Sequence, residues 1–178
     1  IYDAFDQIAK KTGVFKVETI GDCYVAVTGL PTPREDHALV MAHFARRCLE
    51  KMSKVVRELE ILLGPGTGDL GMRFGLHSGP VMAGVLRGEK SRFQLFGDAM
   101  NTASRIEQTG AKNRIHISQQ TADLLVCGGK GAWVKPRDGL VTAKGKGKLQ
   151  TFWLEVNSRS DSPHRDERVE QARMNKAS

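Results

Sequence analysis

Two β-rich runs, Val14-Phe15-Lys16-Val17-Glu18-Thr19-Ile20 and Cys23-Tyr24-Val25-Ala26-Val27-Thr28, are separated by nothing but Gly21-Asp22. Two connecting residues commit such runs to an antiparallel hairpin, because a parallel pairing needs a crossover of a dozen residues or more. The turn sets Asp22 at an exposed tip and leaves Glu18 back along the first strand. Single helices alternate with runs of this kind along the chain. Apolar residues at Ile1, Ala4, Phe5, Ile8 and Ala9 have helical spacing as far as Lys11, and Gly13 is a natural stop. Pro31 and Pro33 break the chain. From Arg34 to Leu63, apolar residues at Ala38, Met41, Ala45, Cys48, Met52, Val55, Val56, Leu59, Leu62 and Leu63 then describe one long amphipathic helix.

Beyond the glycine-rich loop at 64–68, Leu70–His77 and Pro80–Arg87 read as strands around His77-Ser78-Gly79, and Phe93–Phe96 as a short strand. Asp98 is placed to cap a helix from Ala99 to Gln108 that Gly110 ends. Arg114–Ile117 is a strand, Ser118 caps a short helix to about Val126, and further strands are expected near Ala132–Val134 and Thr151–Val156. The order predicts an α+β fold in which helices cover a sheet. From Asn157 the apolar residues give out, so 1–156 is read as the domain and 157–178 as a charged tail or linker.

The chain carries 27 Lys and Arg against 20 Asp and Glu, a net charge of +7, which raises the question of a polyanionic partner. Residues 1–86 hold ten basic and ten acidic side chains, 151–178 hold five and five, and 87–150 hold twelve and five, so the whole excess lies in 87–150. That segment has Phe93, Phe96 and Trp133 as its aromatics and sets its lysines among glycines, which argues against a nucleic-acid surface. No apolar run approaches the ~20 residues that span a bilayer, and the start shows no signal-peptide pattern, so no membrane contact is expected of this segment. Cys23, Cys48 and Cys127 stand far apart and odd in number, which suits a reducing, cytosolic setting. The absence of an initiator Met suggests a piece of something longer.

Four segments together resemble the catalytic domain of the class III nucleotide cyclases, the adenylate and guanylate cyclases. They are Lys16-Val17-Glu18-Thr19-Ile20-Gly21-Asp22, Gly75-Leu76-His77-Ser78-Gly79-Pro80-Val81, Phe96-Gly97-Asp98-Ala99-Met100-Asn101-Thr102-Ala103-Ser104-Arg105, and Lys144-Gly145-Lys146-Gly147. They stand in the family's order and cover residues 1 to about 156. The resemblance implies a ferredoxin-like, mostly antiparallel sheet whose first strand would precede Ile1. It also implies joining of a nucleotide's 3′-hydroxyl to its α-phosphate, with loss of pyrophosphate.

Under that resemblance Asp22 is a ligand of Mg²⁺ or Mn²⁺, two ions per site being expected in the complete domain. A second metal aspartate would lie upstream of Ile1, so the chain as it stands is expected to be weakly active or inactive. Asn101 and Arg105 share one helix face, the first orienting the ribose and the second stabilising charge on the α-phosphate. Lys144 serves the terminal phosphates, and Arg87, Lys90 and Arg92 are weaker candidates for the same end. Glu18 and Gln94 read the purine edge. A carboxylate at 18 suits guanine, which offers N1–H and a 2-amino group together, while Gln94 suits either purine. GTP is the expected substrate, with ATP and a catalytically silent regulatory domain as alternatives. The resemblance further implies a head-to-tail homodimer in which Asp22 and the base-reading residues of one chain serve different sites. His37, His43, His77, His116 and His164 are read as structural, as are Cys48 and Met41, Met52 and Met72.

Overall fold

A computed structural model describes residues 1–87, 92–143 and 147–156. In chain order these form α1 (Tyr2–Thr12), β1 (Phe15–Ile20), β2 (Cys23–Val27), α2 (His37–Leu63), β3 (Phe74–Leu76), β4 (Met82–Leu86), β5 (Arg92–Phe96), α3 (Asp98–Gln108), β6 (Ile115–Ser118), α4 (Gln119–Cys127), β7 (Val134–Pro136), β8 (Val141–Ala143), β9 (Gly147–Leu149) and β10 (Thr151–Leu154), with short 3₁₀ turns at Pro65–Asp69 and Gly131–Trp133. The proposed tail, 157–178, lies outside the described residues.

The strands form one four-stranded sheet in the order β3-β6-β10-β7 and three antiparallel ribbons, β1-β2, β4-β5 and β8-β9. Only β3 and β6 run parallel, so the pairing among described residues is mostly antiparallel, as expected of the α+β class. Two expectations need correction here. The strands read around His77-Ser78-Gly79 are shorter than expected, Phe74–Leu76 and Met82–Leu86, and β3 joins the large sheet while β4 pairs with β5. The strand expected at Ala132–Val134 is a 3₁₀ turn through Trp133 followed by β7.

Helix α2 sits between two hydrophobic clusters. Its small residues Ala38, Ala42 and Ala45 let the sheet approach, packing with Leu76, Ile115, Ile117, Leu125, Trp133 and Leu154. On another side Phe44 and Cys48 pack with Phe5 and Ala9 of α1 and with Val14. Burial pushes the Cys48 thiol up to about 12, so it acts as a small apolar group. The apolar stripe outruns the core. Leu62 and Leu63 are 76% and 72% exposed. No helix among the described residues is long and apolar enough to cross a membrane.

The start of α3 also differs from expectation: Gly97 holds the N-cap position without a side-chain cap, and Asp98 is the first helical residue, where its charge suits the positive end of the helix. Ser118 does cap α4, its hydroxyl accepting from the Thr121 amide at 3.4 Å. His77 Nδ1 lies 2.9 Å from the same Ser118 hydroxyl, and Ser78 Oγ lies 3.0 Å from Thr121 Oγ1, so the loop after β3 is pinned to the first turn of α4. His43 meets Trp133 edge-on at 5.3 Å, and His37 Nδ1 lies 3.1 Å from the Arg34 carbonyl. These are structural placements. His164 lies outside the described residues.

Candidate active site

The hairpin closes through Gly21, whose φ of 58 is a left-handed value that a glycine adopts without strain. Asp22 follows, fully at the surface, and its carboxylate has no hydrogen-bond partner among the described residues. Its backbone is held instead, the Tyr2 hydroxyl of α1 donating to the Asp22 carbonyl oxygen. Burial, with Asp22 and Cys23 nearby, pushes the Tyr2 hydroxyl above its usual pKa, so it stays a donor. A second tie from α1 sits lower on the hairpin, where Asp6 accepts from Lys16 Nζ at 2.7 Å and from the Tyr24 hydroxyl at 2.8 Å. Those two bonds hold the Asp6 carboxyl below its ordinary range.

A strand alternates its side chains, so Lys16 and Glu18 would share a face of a regular β1. They do not. The register shifts between them, Lys16 lying opposite Ala26 and Glu18 opposite Val25, with Val17 as the extra residue of a bulge. Lys16 thereby joins the Tyr24 face and its Asp6 partner, and half-buried Glu18 is turned to the Phe15 face with no hydrogen bond among the described residues. Phe15 meets Phe93 of β5 edge-on at 5.3 Å, which brings β1 against β5. Gln94 follows Phe93, half-buried, and its cross-strand neighbour in β4 is Gly84, which has no side chain to fill the place opposite. The two candidate base readers therefore ride on adjacent strands without bonding one another.

Helix α3 carries Asn101 and Arg105, both exposed. Four residues of helix set them about 40° apart around the axis, one turn along. Arg105 Nη1 makes a long contact of 3.4 Å to Gln108 Oε1, and the Asn101 amide is uncommitted among the described residues. The opposite side of α3 faces β3 at very close range. A Cβ on Gly75 would lie 2.3 Å from the Glu107 backbone nitrogen, so the strand admits only glycine there. Glu107 itself pairs with Arg73 at 2.8 Å. The Arg73–Glu107 pair lies within electrostatic reach of the hairpin turn, since Glu107 bears on Cys23 and Asp22 on Arg73.

Lys144 lies outside the described residues. What is described is its bracket, Ala143 and Gly147 being paired across β8 and β9, two strands that sequence reasoning left as loop. Lys90 and the Arg92 side chain also lie outside the described residues, and Arg87 is exposed at the end of β4. The fit to a divalent metal is one of kind, not number. Asp22 offers a hard, uncommitted oxygen donor suited to Mg²⁺ or Mn²⁺, yet no group of three His, Cys, Asp or Glu among the described residues gathers to hold an ion. Tyr2, Gly75 and Gly84 escaped the sequence reading. The signal available for Gly75 was a glycine inside a strand pattern, Phe74-Gly75-Leu76, which often marks close backbone approach.

Comparison with known proteins places the chain in a family. The family described as the adenylate and guanylate cyclase catalytic domain matches residues 1–156. The receptor-type guanylate cyclase gcy-28 of Caenorhabditis elegans is 42% identical over 154 residues, covering 86% of this chain, and the guanylate cyclase soluble subunit beta-2 of Rattus norvegicus is 39% identical over 158 residues, covering 88%. The chain spans only 12% and 22% of the length of those two relatives. Among solved structures, the guanylate cyclase domain of RhGC from Catenaria anguillulae in complex with GTP is 42% identical with a TM-score of 0.73, over 88% of this chain and 80% of that one. On the family match and these identities, the chain belongs to the adenylate and guanylate cyclase catalytic domain family, the purine nucleotide cyclases.

Proposed function

We propose that this domain, residues 1–156, converts GTP to cyclic GMP and pyrophosphate in a site assembled from two copies of the chain, in the reducing interior of the cell. The 3′-hydroxyl oxygen bonds to the α-phosphorus, the bond from that phosphorus to the bridging oxygen of the β-phosphate breaks, and the hydroxyl proton is lost. Glu18 accepts from guanine N1–H and the 2-amino group, which adenine cannot offer, and the Gln94 amide donates to O6. Asn101 holds the ribose so that the hydroxyl addresses the α-phosphate. Arg105 donates to the oxygens on which charge grows, a task for a planar multi-donor cation, and Lys144 takes the terminal phosphates. Divalent cations, for which Asp22 supplies one carboxylate, would neutralise the triphosphate and acidify the hydroxyl.

The observation that carries the two-chain reading is the geometry of α3. Glu107 lies about 200° around the helix from Arg105, and the Asp22 turn neighbours Glu107 and Arg73. A metal held at Asp22 would lie on the side of α3 away from Asn101 and Arg105, which supports a second chain bringing the two halves to one substrate. A head-to-tail homodimer does this twice, since each chain carries both halves.

The test is pyrophosphate release with Mn²⁺ from GTP and from ATP, in protein carrying the residues upstream of Ile1. GTP should turn over faster. Glu18→Lys combined with Gln94→Asp should shift the ratio toward ATP by at least tenfold, the order expected when a buried polar partner is reversed. A faster rate with ATP in the unsubstituted protein makes it an adenylate cyclase instead, and no release with either nucleotide makes it a silent regulatory domain.

A further inference from the structure

The C-terminal end of α3 is tied to the sheet by contacts that the proposed reaction does not use. His116, on β6, is 0% exposed. Its Nδ1 lies 2.6 Å from the Ile106 carbonyl oxygen, and since a carbonyl only accepts, Nδ1 carries the proton. The neutral ring then accepts at Nε2, where Arg137 Nη1, a donor only, stands at 3.3 Å. The same Nη1 donates to the Thr109 carbonyl at 2.6 Å. Ile106 is in the last turn of α3 and Thr109 is its C-cap, so these are carbonyls at the end where the helix runs out of backbone amides, the Ile106 oxygen having besides only a long contact of 3.4 Å from the Thr109 hydroxyl among the described residues. A guanidinium there also opposes the negative end of the helix.

Arg137 is itself fixed. Its amide donates to the Thr151 carbonyl at 3.0 Å, its carbonyl accepts from Gln150 Nε2 at 3.1 Å, and its guanidinium lies 5.2 Å from the centre of the Trp153 ring. Trp153 lies 5.0 Å from the His116 ring. The brace thus links the end of α3 to β6, β10 and the segment after β7.

We propose that His116 and Arg137 form a positioning pair for the nucleotide site, holding α3 by its last carbonyls at the height and rotation that present Asn101 and Arg105 to substrate. This rests on the reading of α3 given above. Neither residue touches substrate, and both act through the helix, where a displacement of about 1 Å is enough to lower a rate a hundredfold. The pair also has a built-in acid limit. Burial first, and the Arg137 charge with it, hold the His116 pKa below its ordinary value, while the bond to Ile106 acts the other way. Protonation places a hydrogen on Nε2 facing Nη1, donor against donor and cation against cation. The other charged groups on the packed elements are Arg114, which stacks on the Trp153 ring and pairs with Glu155, Lys135 on β7 opposite Trp153, and, on α3, Glu107 paired with Arg73, Arg105 in the last turn and Asp98 at the far, N-terminal end. The two acids at this end, Glu107 and Glu155, are already engaged by arginines. The unfolded chain takes the proton more readily than the folded one, so the brace is intact above about pH 6.5 and is lost as pH falls through the lower folded value.

The experiment compares Arg137→Gln and Arg137→Lys with the unsubstituted protein, again with its upstream residues. It reads kcat and KM for pyrophosphate release against pH, together with amide hydrogen exchange across 105–110. Arg137→Gln should lower kcat about tenfold or more with KM within about threefold, move the acid limb of kcat, and speed exchange in 105–110 but not in α1. Arg137→Lys, which keeps a cation and one donor at the helix end, should recover part of each. If Arg137→Gln does not fold, Arg137→Lys carries the same readouts against the unsubstituted protein. Unchanged exchange overturns the proposal, and so does faster exchange with kcat and its acid limb unmoved. Absence of turnover in the unsubstituted protein overturns the activity reading and the positioning role with it, and the exchange arm then still reports whether Arg137 holds the helix end.

Discussion

At the scale of single residues, what separates the candidate site from the rest of the surface is which polar side chains are already used. Asp6, Lys16 and Tyr24 satisfy one another, whereas the functional groups of Glu18, Asp22, Gln94 and Asn101 have no hydrogen-bond partner among the described residues. The Val17 bulge makes this possible for Glu18, since a regular strand would set it beside Lys16 and invite an ion pair. Sequence alone showed Glu18 and the four-residue spacing of Asn101 and Arg105. It could not show the bulge, because an extra residue in one strand leaves no mark in a pattern read along that strand. For Arg105 the expectation is kinetic. Arg105→Ala should lower kcat about 10²- to 10³-fold with little change in KM, and Arg105→Lys should recover little of it, because one ammonium does not reproduce a planar fork of donors. A raised KM with kcat intact would instead mark Arg105 as a ground-state contact.

At the scale of elements, α3 and the strand behind it matter most. The helix was legible from the residues placed to start and stop it, α1 and α2 from periods long enough to repeat, and the first hairpin from its two-residue connection. Strands β8 and β9 span three residues each, too short for an alternation to declare itself, and so the bracket of Lys144 was read as loop. Packing distances are likewise invisible in a sequence. The contact of Gly75 with α3 is the clearest case: an added methyl would lie 2.3 Å from Glu107 N and 2.5 Å from its Cα, backbone atoms that give way only if the helix moves. Gly75→Ala should therefore cost about 1–3 kcal/mol in thermal unfolding and lower turnover by displacing Asn101 and Arg105. Gly84→Ala is the control in a strand, where the nearest atom is 3.8 Å away, in the ring of Phe96. Equal stability losses for the two would show that the close approach is not what makes Gly75 necessary.

At the scale of the whole molecule, the charge distribution and the two sides of α3 both set Asp22 apart from Arg105 and Lys144. The first 86 residues are balanced in charge and supply Asp22 and Glu18, while 87–150 hold the whole excess of seven, including Arg105 and Lys144. A closed two-fold dimer repeats each contact, so every site would take Asp22 from one chain and Asn101, Arg105 and Lys144 from the other. Mixing chains distinguishes this from a one-chain site. Asp22→Asn and Arg105→Ala should each lower turnover about a hundredfold or more as homodimers. In a heterodimer of the two, one site combines both defects and the other combines the intact Asp22 of the Arg105→Ala chain with the intact Arg105 of the Asp22→Asn chain. Equal mixing and exchange give heterodimers in about half the population, each with one working site of two, so about a quarter of the original activity should return. If both residues served the same chain's site, no mixture would contain an intact one, and the activity of the mixture would stay at that of the separate variants.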